Sequence, residues 1–208
     1  MGIFVLLCKN SLFYGCITFA RNTTYSIEEY FELEAQSLEK LEYYDGKITK
    51  ISGVSYVHNR IATNVLTALN IALIETMFEV SNSDTKIHIP SIESFVYPDA
   101  VVICEKPLFY QNRVDTILNP LLVVEVLSPS TEEYDRGEKF YLYRSLASFK
   151  EYVVVHQKHA LVSAFFRLNE KDWRTDDVAD LTETVHLQSI DVKLKLSNIY
   201  RGIDLSAR

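Results

Sequence analysis

From Leu121 to Leu127 every residue except Glu125 is aliphatic, and Ser128-Pro129-Ser130 ends the run. An apolar stretch of this length, rich in β-branched residues, predicts a central strand covered on both faces. The patterns on either side predict its neighbours. Ser26 followed by Glu29 is a capping box, and Ile27, Tyr30, Phe31 and Glu34 continue a helix behind it. Asp45-Gly46 joins two alternating runs between Lys40 and Ile51, which predicts a hairpin. Val57, Ile61, Val65, Leu69 and Leu73 recur at helical spacing, so residues 55–73 form a long amphipathic helix lying on the sheet. Lys86 to Ile89 reads as a short strand, and Phe95 to Cys104 as one buried strand entered through Pro98. Residues 105–120 read as a loop.

Beyond the central run, Ser130 and Glu133 form a second capping box, opening a helix from Tyr134 to Leu146. Glu151 to His156 and Leu161 to Leu168 are strands joined by a turn at Gln157-Lys158-His159. Glu170 to Asp180 is polar and acidic and predicts a solvated loop. Val185 to Leu196 alternates as a last strand or hairpin arm, with Ser197 capping a short helical turn. The order of elements predicts one α/β (α+β-like) domain over residues 24–208, a mixed central sheet flanked by helices. Residues 1–23 stand outside it as an N-terminal extension.

Composition narrows the picture. The chain has 208 residues, 48% hydrophobic and 24% charged, enough to bury its own core. A net charge of −7 argues against a tight, nonspecific nucleic-acid binder, which needs surplus lysine and arginine. Cys8, Cys16 and Cys104 make an odd set without a CxxC pair, which suits a reducing cytoplasm. Lys9-Asn10-Ser11 breaks the apolar N-terminal stretch before it reaches the length of a secretory or membrane segment, and no other stretch does so.

Candidate chemistry centres on two acids in apolar runs. A buried carboxylate costs several kcal/mol unless a cation compensates or it stays protonated. Asp99 shares a strand face with Val101 and Ile103, and Glu125 shares one with Val123 and Leu127. If those strands are neighbours, the two acids converge, and a hard divalent cation held by carboxylates and waters becomes possible. The bland account has Asp99 capping a turn and Glu125 paired with Arg136 or another base. Lys139, in the helical row Asp135-Lys139-Tyr143, either reaches back to Glu125 or forms an exposed pair with Asp135. Glu42, in the first hairpin arm, and His58, at the start of the long helix, are functional only if they join that cluster. His58, Arg136 and Tyr143 are the candidate substrate contacts. The chain holds no GxSxG, P-loop, GxGxxG or HExxH motif, and its five histidines lack metal-ligand spacing.

Tyr97-Pro98-Asp99, then Val123 to Thr131, then Tyr134-Asp135-Arg136-Gly137-Glu138-Lys139 and Glu151 to Val155, taken in order, resemble the Uma-two family of the restriction-endonuclease-like PD-(D/E)XK superfamily. Leu41 to Ile48 and Ser55 to His58 resemble its N-terminal block, so the likeness runs from about Tyr25 to Tyr200. It implies a nuclease core in which Asp99, Glu125 and the Val126 carbonyl hold Mg²⁺ (or Mn²⁺), with Glu42 as an additional metal-binding acid. It also implies an endonuclease hydrolysing phosphodiester bonds in DNA, with a homodimer as a possible assembly. The superfamily lysine belongs two residues after the acid, where this chain has Leu127, and Lys139 is the substitute. The competing expectation is a nuclease-fold protein that binds nucleic acid or a protein partner without cleaving.

Overall fold

The computed structural model describes residues 23–51, 53–128 and 132–206. The N-terminal extension up to residue 22 and the Ser130 half of the second capping box lie outside the described residues. Helix α1 (Ile27–Gln36) opens on the predicted box: the Ser26 hydroxyl accepts from the Glu29 amide at 3.2 Å, and the Glu29 carboxylate accepts from the Ser26 amide at 2.8 Å. The hairpin follows as β1 (Leu41–Tyr44) and β2 (Lys47–Lys50). Asp45 and Gly46 both take positive φ, 43° and 83°, as a two-residue hairpin turn of the primed kind requires. Helix α2 (Tyr56–Leu73) is capped by the Ser55 hydroxyl, which accepts from the His58 amide at 3.1 Å.

Next come β3 (Phe78–Asn82) and β4 (Lys86–Ile89), then a 3₁₀ turn at Pro90–Ile92. β5 (Ser94–Val96), β6 (Ala100–Cys104), β7 (Thr116–Ile117) and the central β8 (Pro120–Leu127) follow. A composite helix then begins as α3 (Glu132–Tyr134), widens into a π turn over Asp135–Lys139, and ends as α4 (Phe140–Arg144). The chain closes with β9 (Glu151–His156), β10 (Val162–Arg167), β11 (Trp173–Val178), β12 (Thr184–Leu187), β13 (Val192–Lys195) and α5 (Leu196–Ile199).

The strands form two main sheets and a small hairpin. One sheet has the order β11-β10-β9-β8-β6-β3 and is mixed, because β8 and β9 run parallel while the other pairs run antiparallel. The second has the order β2-β1-β5-β4-β7. Alternation along β8 decides what each face meets. Leu122, Val124 and Val126 join Ile61, Val65 and Leu69 of α2 in one core cluster, completed by β12, β13 and α5. Val123 and Leu127 join Leu142 and Tyr143 of α4 and Ile87, Ile89 and Val96 of the second sheet. The far face of the second sheet is covered by α1 through Tyr30, Leu41, Tyr43 and Phe95. Each aliphatic side chain buried this way contributes about 1.5–3 kcal/mol, so β8 tolerates one costly residue. Among the described residues no helix is long and apolar enough to cross a membrane.

The structure corrects four expectations and adds one strand. Phe95 to Cys104 is two strands in different sheets, not one: Pro98 has no N–H to donate and biases Tyr97 toward extended backbone, so the chain crosses between sheets at Tyr97-Pro98-Asp99. The stretch read as a loop before Pro120 contains β7, which pairs in parallel with β4. Glu170 to Asp180 holds β11, an edge strand whose polar residues face solvent because little covers it. β3, at the other edge of the same sheet, was not foreseen. Ser197 lies inside α5 rather than capping it, and the cap position is Lys195.

Candidate active site

β6 and β8 are antiparallel neighbours with Ala100 opposite Val124, which brings Asp99 and Glu125 to the same end of the sheet. There, both acids line a cavity of about 720 Å³ between the two sheets, together with Glu42, His58, Val126 and Lys139. Asp99 sits just ahead of β6, so it does not continue the Val101–Ile103 face. Its carboxylate turns toward α2, with one oxygen 2.8 Å from His58 Nε2 and the other accepting from the Val126 amide at 2.7 Å. The Ser55 cap fixes the start of α2 and therefore the position of His58.

Glu125 faces the opposite way, into the apolar cluster of Val123 and Leu127, and is 3% exposed. Its Oε1 lies 2.9 Å from Lys139 Nζ and accepts from the Tyr143 hydroxyl at 3.2 Å. The Lys139 ammonium also donates to the Tyr97 carbonyl at 2.8 Å, and lies 3.5 Å from Glu42 and 3.8 Å from Asp135. Tyr97 holds Glu42 as well, through its amide at 2.9 Å, so one residue of the inter-sheet crossing positions both an acid and the ammonium. The Tyr97 hydroxyl is itself anchored on Glu34 at 2.7 Å.

One ammonium thus serves three carboxylates, and the protonation tendencies follow. Burial pushes the Glu125 carboxyl well above its usual range, Lys139 pulls it down, and Asp135 and Asp99 push it up again. Burial alone would lower Lys139, but Glu125, Glu42 and Asp135 outweigh it and hold the ammonium well above its ordinary value. The two directions are compatible: Lys139 stays charged, and one positive charge cannot neutralise every acid around it. Tyr143 is fully buried, and burial with Glu125 beside it raises its phenol.

The structure therefore brings together Glu42, His58, Asp99, Glu125, Val126 and Lys139. Leu127, at the superfamily lysine position, is buried in the apolar cluster, and the ammonium beside Glu125 comes from Lys139. The pairing of Glu125 with Arg136 is not found: Arg136 meets His156 and Glu132 instead, and does not line the cavity. Nor is Tyr143 a substrate contact, since its side chain lies behind Glu125 with no exposed surface. Asp135, read as an exposed partner of Lys139, is buried beside it at 3.8 Å, so Lys139 meets Glu125 and Asp135 together rather than one or the other. Tyr97 is a site residue that the sequence reading missed, because it acts through its backbone, which no side-chain pattern reveals. Glu151 shows the contrast with Glu125: it is equally buried, but its carboxylate accepts from the Gln188 and Ser189 amides and the Ser189 hydroxyl, and so serves the fold.

Fold and site together define a class, a restriction-endonuclease-like core in which one acid just ahead of β6 and one on the adjacent β8 open on one cavity. Residues 27–197 match the model of the Uma2 family, described as "Putative restriction endonuclease", and the chain belongs to that family. It is 35% identical over 180 residues to the uncharacterized protein slr1290 of Synechocystis sp. strain PCC 6803, covering 86% of this chain and 92% of that one. A second protein of the same organism, sll1609, is 34% identical over 145 residues, covering 70% of this chain and 82% of its own length. The crystal structure of a putative nuclease belonging to DUF820 from Anabaena variabilis ATCC 29413 superposes with a TM-score of 0.66 at 14% identity. That match covers 83% of this chain and 96% of the other, and at this identity it speaks to the fold.

Proposed function

We propose that this chain is a nuclease that hydrolyses phosphodiester bonds in DNA with the help of a divalent cation, Mg²⁺ or Mn²⁺. The observation that carries the reading is the meeting of Asp99, Glu125 and the Lys139 ammonium on one open cavity. The donor set fits a hard cation. Two carboxylates and the Val126 carbonyl are oxygen ligands, and Mg²⁺ is commonly held by one or two carboxylates with waters completing its shell. That arrangement needs no preformed cage, and among the described residues no group of three or more His, Cys, Asp or Glu side chains forms one. The surplus of carboxylates over the single ammonium is the charge such an ion would balance.

When bound, the cation would lower the pKa of a water and withdraw charge from the scissile phosphate. Asp99, Glu125 and Val126 would hold it. Lys139 Nζ, fixed by the Tyr97 carbonyl and Glu125, presents a positive charge where negative charge develops on the phosphoryl oxygens. Glu42, held by the Tyr97 amide, helps keep that ammonium in place. Lys47, exposed on the cavity wall, is available to the phosphates of a polynucleotide.

Calorimetric titration with Mg²⁺ and Mn²⁺, beside the Asp99→Asn/Glu125→Gln double variant, tests the reading. Heat of binding lost in the variant, with metal-dependent cleavage of DNA in the wild type alone, is the expected result. Parallel RNA substrates identify the polymer. One observation favours a second reading, a nuclease-fold protein that binds nucleic acid or a protein partner without cleaving. Lys139 already partly neutralises Glu125, and both Asp99 oxygens accept protein contacts. No cation binding by the wild type, alone or with a short duplex present, would establish that reading instead.

A further inference from the structure

The opposite end of β8 holds a second concavity, of about 620 Å³, that shares no lining residue with the first. Three cations line it: Arg144 at the end of α4, Lys150 just before β9, and Arg167 at the end of β10. Backbone pairing sets their positions. The Lys150 amide donates to the Leu121 carbonyl at 2.8 Å, and the Arg167 amide donates to the Lys150 carbonyl at 2.8 Å. Arg167 Nη2 in turn donates to the Arg144 carbonyl. Both guanidiniums lie over the Trp173 ring, 5.6 Å from its centroid for Arg144 and 4.9 Å for Arg167.

What sets these cations apart is that three of them share one cleft, since other cations among the described residues, Lys47 and Arg60 for example, also lack an ion pair. Lys40, Lys86, Arg113, Arg136 and Lys139 each pair with a carboxylate. Among the described residues Arg144, Lys150 and Arg167 make no such pair, although the chain carries 28 acids to 21 lysines and arginines. Glu170 on the rim acts on Arg167 only through space. Arg167 Nε is buried without a hydrogen-bond partner, an expense that a folded protein normally avoids. Burial and the neighbouring Arg144 both pull the Arg167 guanidinium down. Contact with an indole face attracts such groups but does not neutralise them.

We infer that this cleft is a binding site for a phosphate group. Two planar guanidiniums beside Trp173 and an exposed ammonium that donates to the Ala147 carbonyl at 3.1 Å offer several charge-assisted donors and no acceptor of their own kind, which suits a dianionic oxyanion with several acceptor oxygens. Single carboxylates have fewer acceptors to offer. The phosphate comes either from a small phosphorylated molecule or from the end of a nucleic acid. The inference does not depend on the nuclease reading, since neither Asp99 nor Glu125 takes part.

The chain has a single tryptophan, Trp173, beside both arginines of this cleft, so tryptophan emission, excited apart from the tyrosines, reports on its surroundings. Inorganic phosphate added at constant ionic strength, with chloride as the control salt, should give a saturable change in that fluorescence. Arg144→Gln and Lys150→Gln should each weaken the response about tenfold or more, the worth of one charged hydrogen bond. Lys150 is exposed, so its variant keeps the fold and isolates the charge. A 5′-phosphorylated oligonucleotide binding more tightly than both inorganic phosphate and its unphosphorylated counterpart assigns the site to nucleic-acid ends. Equal or tighter binding of inorganic phosphate assigns it to small molecules. No saturable response in the wild type, or an undiminished one in both variants, overturns the site. Cation binding at Asp99 and Glu125 is measured separately, so the two readings fail independently.

Discussion

Lys86 and Lys139 are both buried, at 0% and 5% exposure, and both lie among acids, yet burial ends differently for each. Lys86, on β4, pairs with Glu34 and lies 4.0 Å from Asp115, but Arg113 shares those same two acids at 3.7 and 2.5 Å. Two cations therefore meet two carboxylates. The rings of Tyr30, Phe31 and Tyr97 stand 5.1–5.4 Å from the Lys86 ammonium and wall it in. Burial lowers Lys86, and the pull of Glu34 does not fully restore it, with Arg113 pushing the same way as burial. Lys139 is shared by three carboxylates, Glu125, Glu42 and Asp135, at the edge of a cavity, and is held well above its ordinary value. Charge balance, more than depth, separates a cluster that holds two sheets and a helix together from one that is left short of positive charge. The two clusters touch through Tyr97, whose hydroxyl belongs to the first and whose backbone belongs to the second.

Removing each ammonium should separate them most clearly. Lys139→Met removes the ammonium that Glu125, Glu42 and Asp135 share, and should cost about 3–5 kcal/mol in urea unfolding. Lys86→Met leaves Glu34 with Arg113 and the Tyr30 and Tyr97 hydroxyls, so the expected loss is smaller, about 1–3 kcal/mol. Mg²⁺ should recover part of the first loss and none of the second, because only the first removes positive charge beside the cation's ligands. Equal losses with no response to Mg²⁺ would erase the distinction.

A smaller effect sharpens the same contrast. Folding raises the Glu125 carboxyl above its ordinary value of 4.5, so the protonated form is the one the fold favours. Its contribution to stability is complete below that ordinary value and is lost as pH rises through the folded one. Glu125→Gln should therefore match the wild type in acid and become the more stable protein toward neutral pH, by up to about 2 kcal/mol without metal. Thermal unfolding across pH checks this, and a variant that loses stability toward neutral pH would mean that Lys139 depends on Glu125 more than on Glu42 and Asp135. The same logic makes cation affinity rise with pH, since protons compete for Glu125.

Much of this arrangement was legible in the chain. The unbroken aliphatic run around Glu125 could only be a covered strand, and Asp45-Gly46 and the Ser26–Glu29 box announced their elements through local backbone chemistry. Asp99, Glu125 and Lys139 stood out because acids in apolar runs need a compensating partner. β11 did not stand out, since an edge strand exposed on both faces carries no alternation to read. Glu42 looked solvent-facing because a hairpin glutamate usually is. It lies on the second sheet itself, and only the packing of that sheet against the first encloses it. The joint at Tyr97 was hidden for a similar reason: Pro98 signals an interruption but not that the strands on either side enter different sheets. Arg113 and Glu34 are far apart in sequence, so the balance around Lys86 could not be anticipated.

The smallest expected effect concerns Tyr143, which the sequence placed among substrate contacts and the structure places behind Glu125. Its hydroxyl donates to the Glu125 carboxylate at 3.2 Å, which favours the charged form of that acid. Tyr143→Phe removes the donor and preserves the ring packed against Phe149 and Tyr152. The cost in stability should be about 1 kcal/mol. With one fewer donor, Glu125 holds its proton to higher pH, so the pH dependence of cation binding, and of cleavage where it occurs, should move upward. A residue that touched substrate would behave otherwise: KM would rise while the pH profile stayed in place. A profile that moves without a change in KM puts Tyr143 among the groups that set the charge of Glu125, as the Lys139 cluster requires and the Lys86 cluster does not.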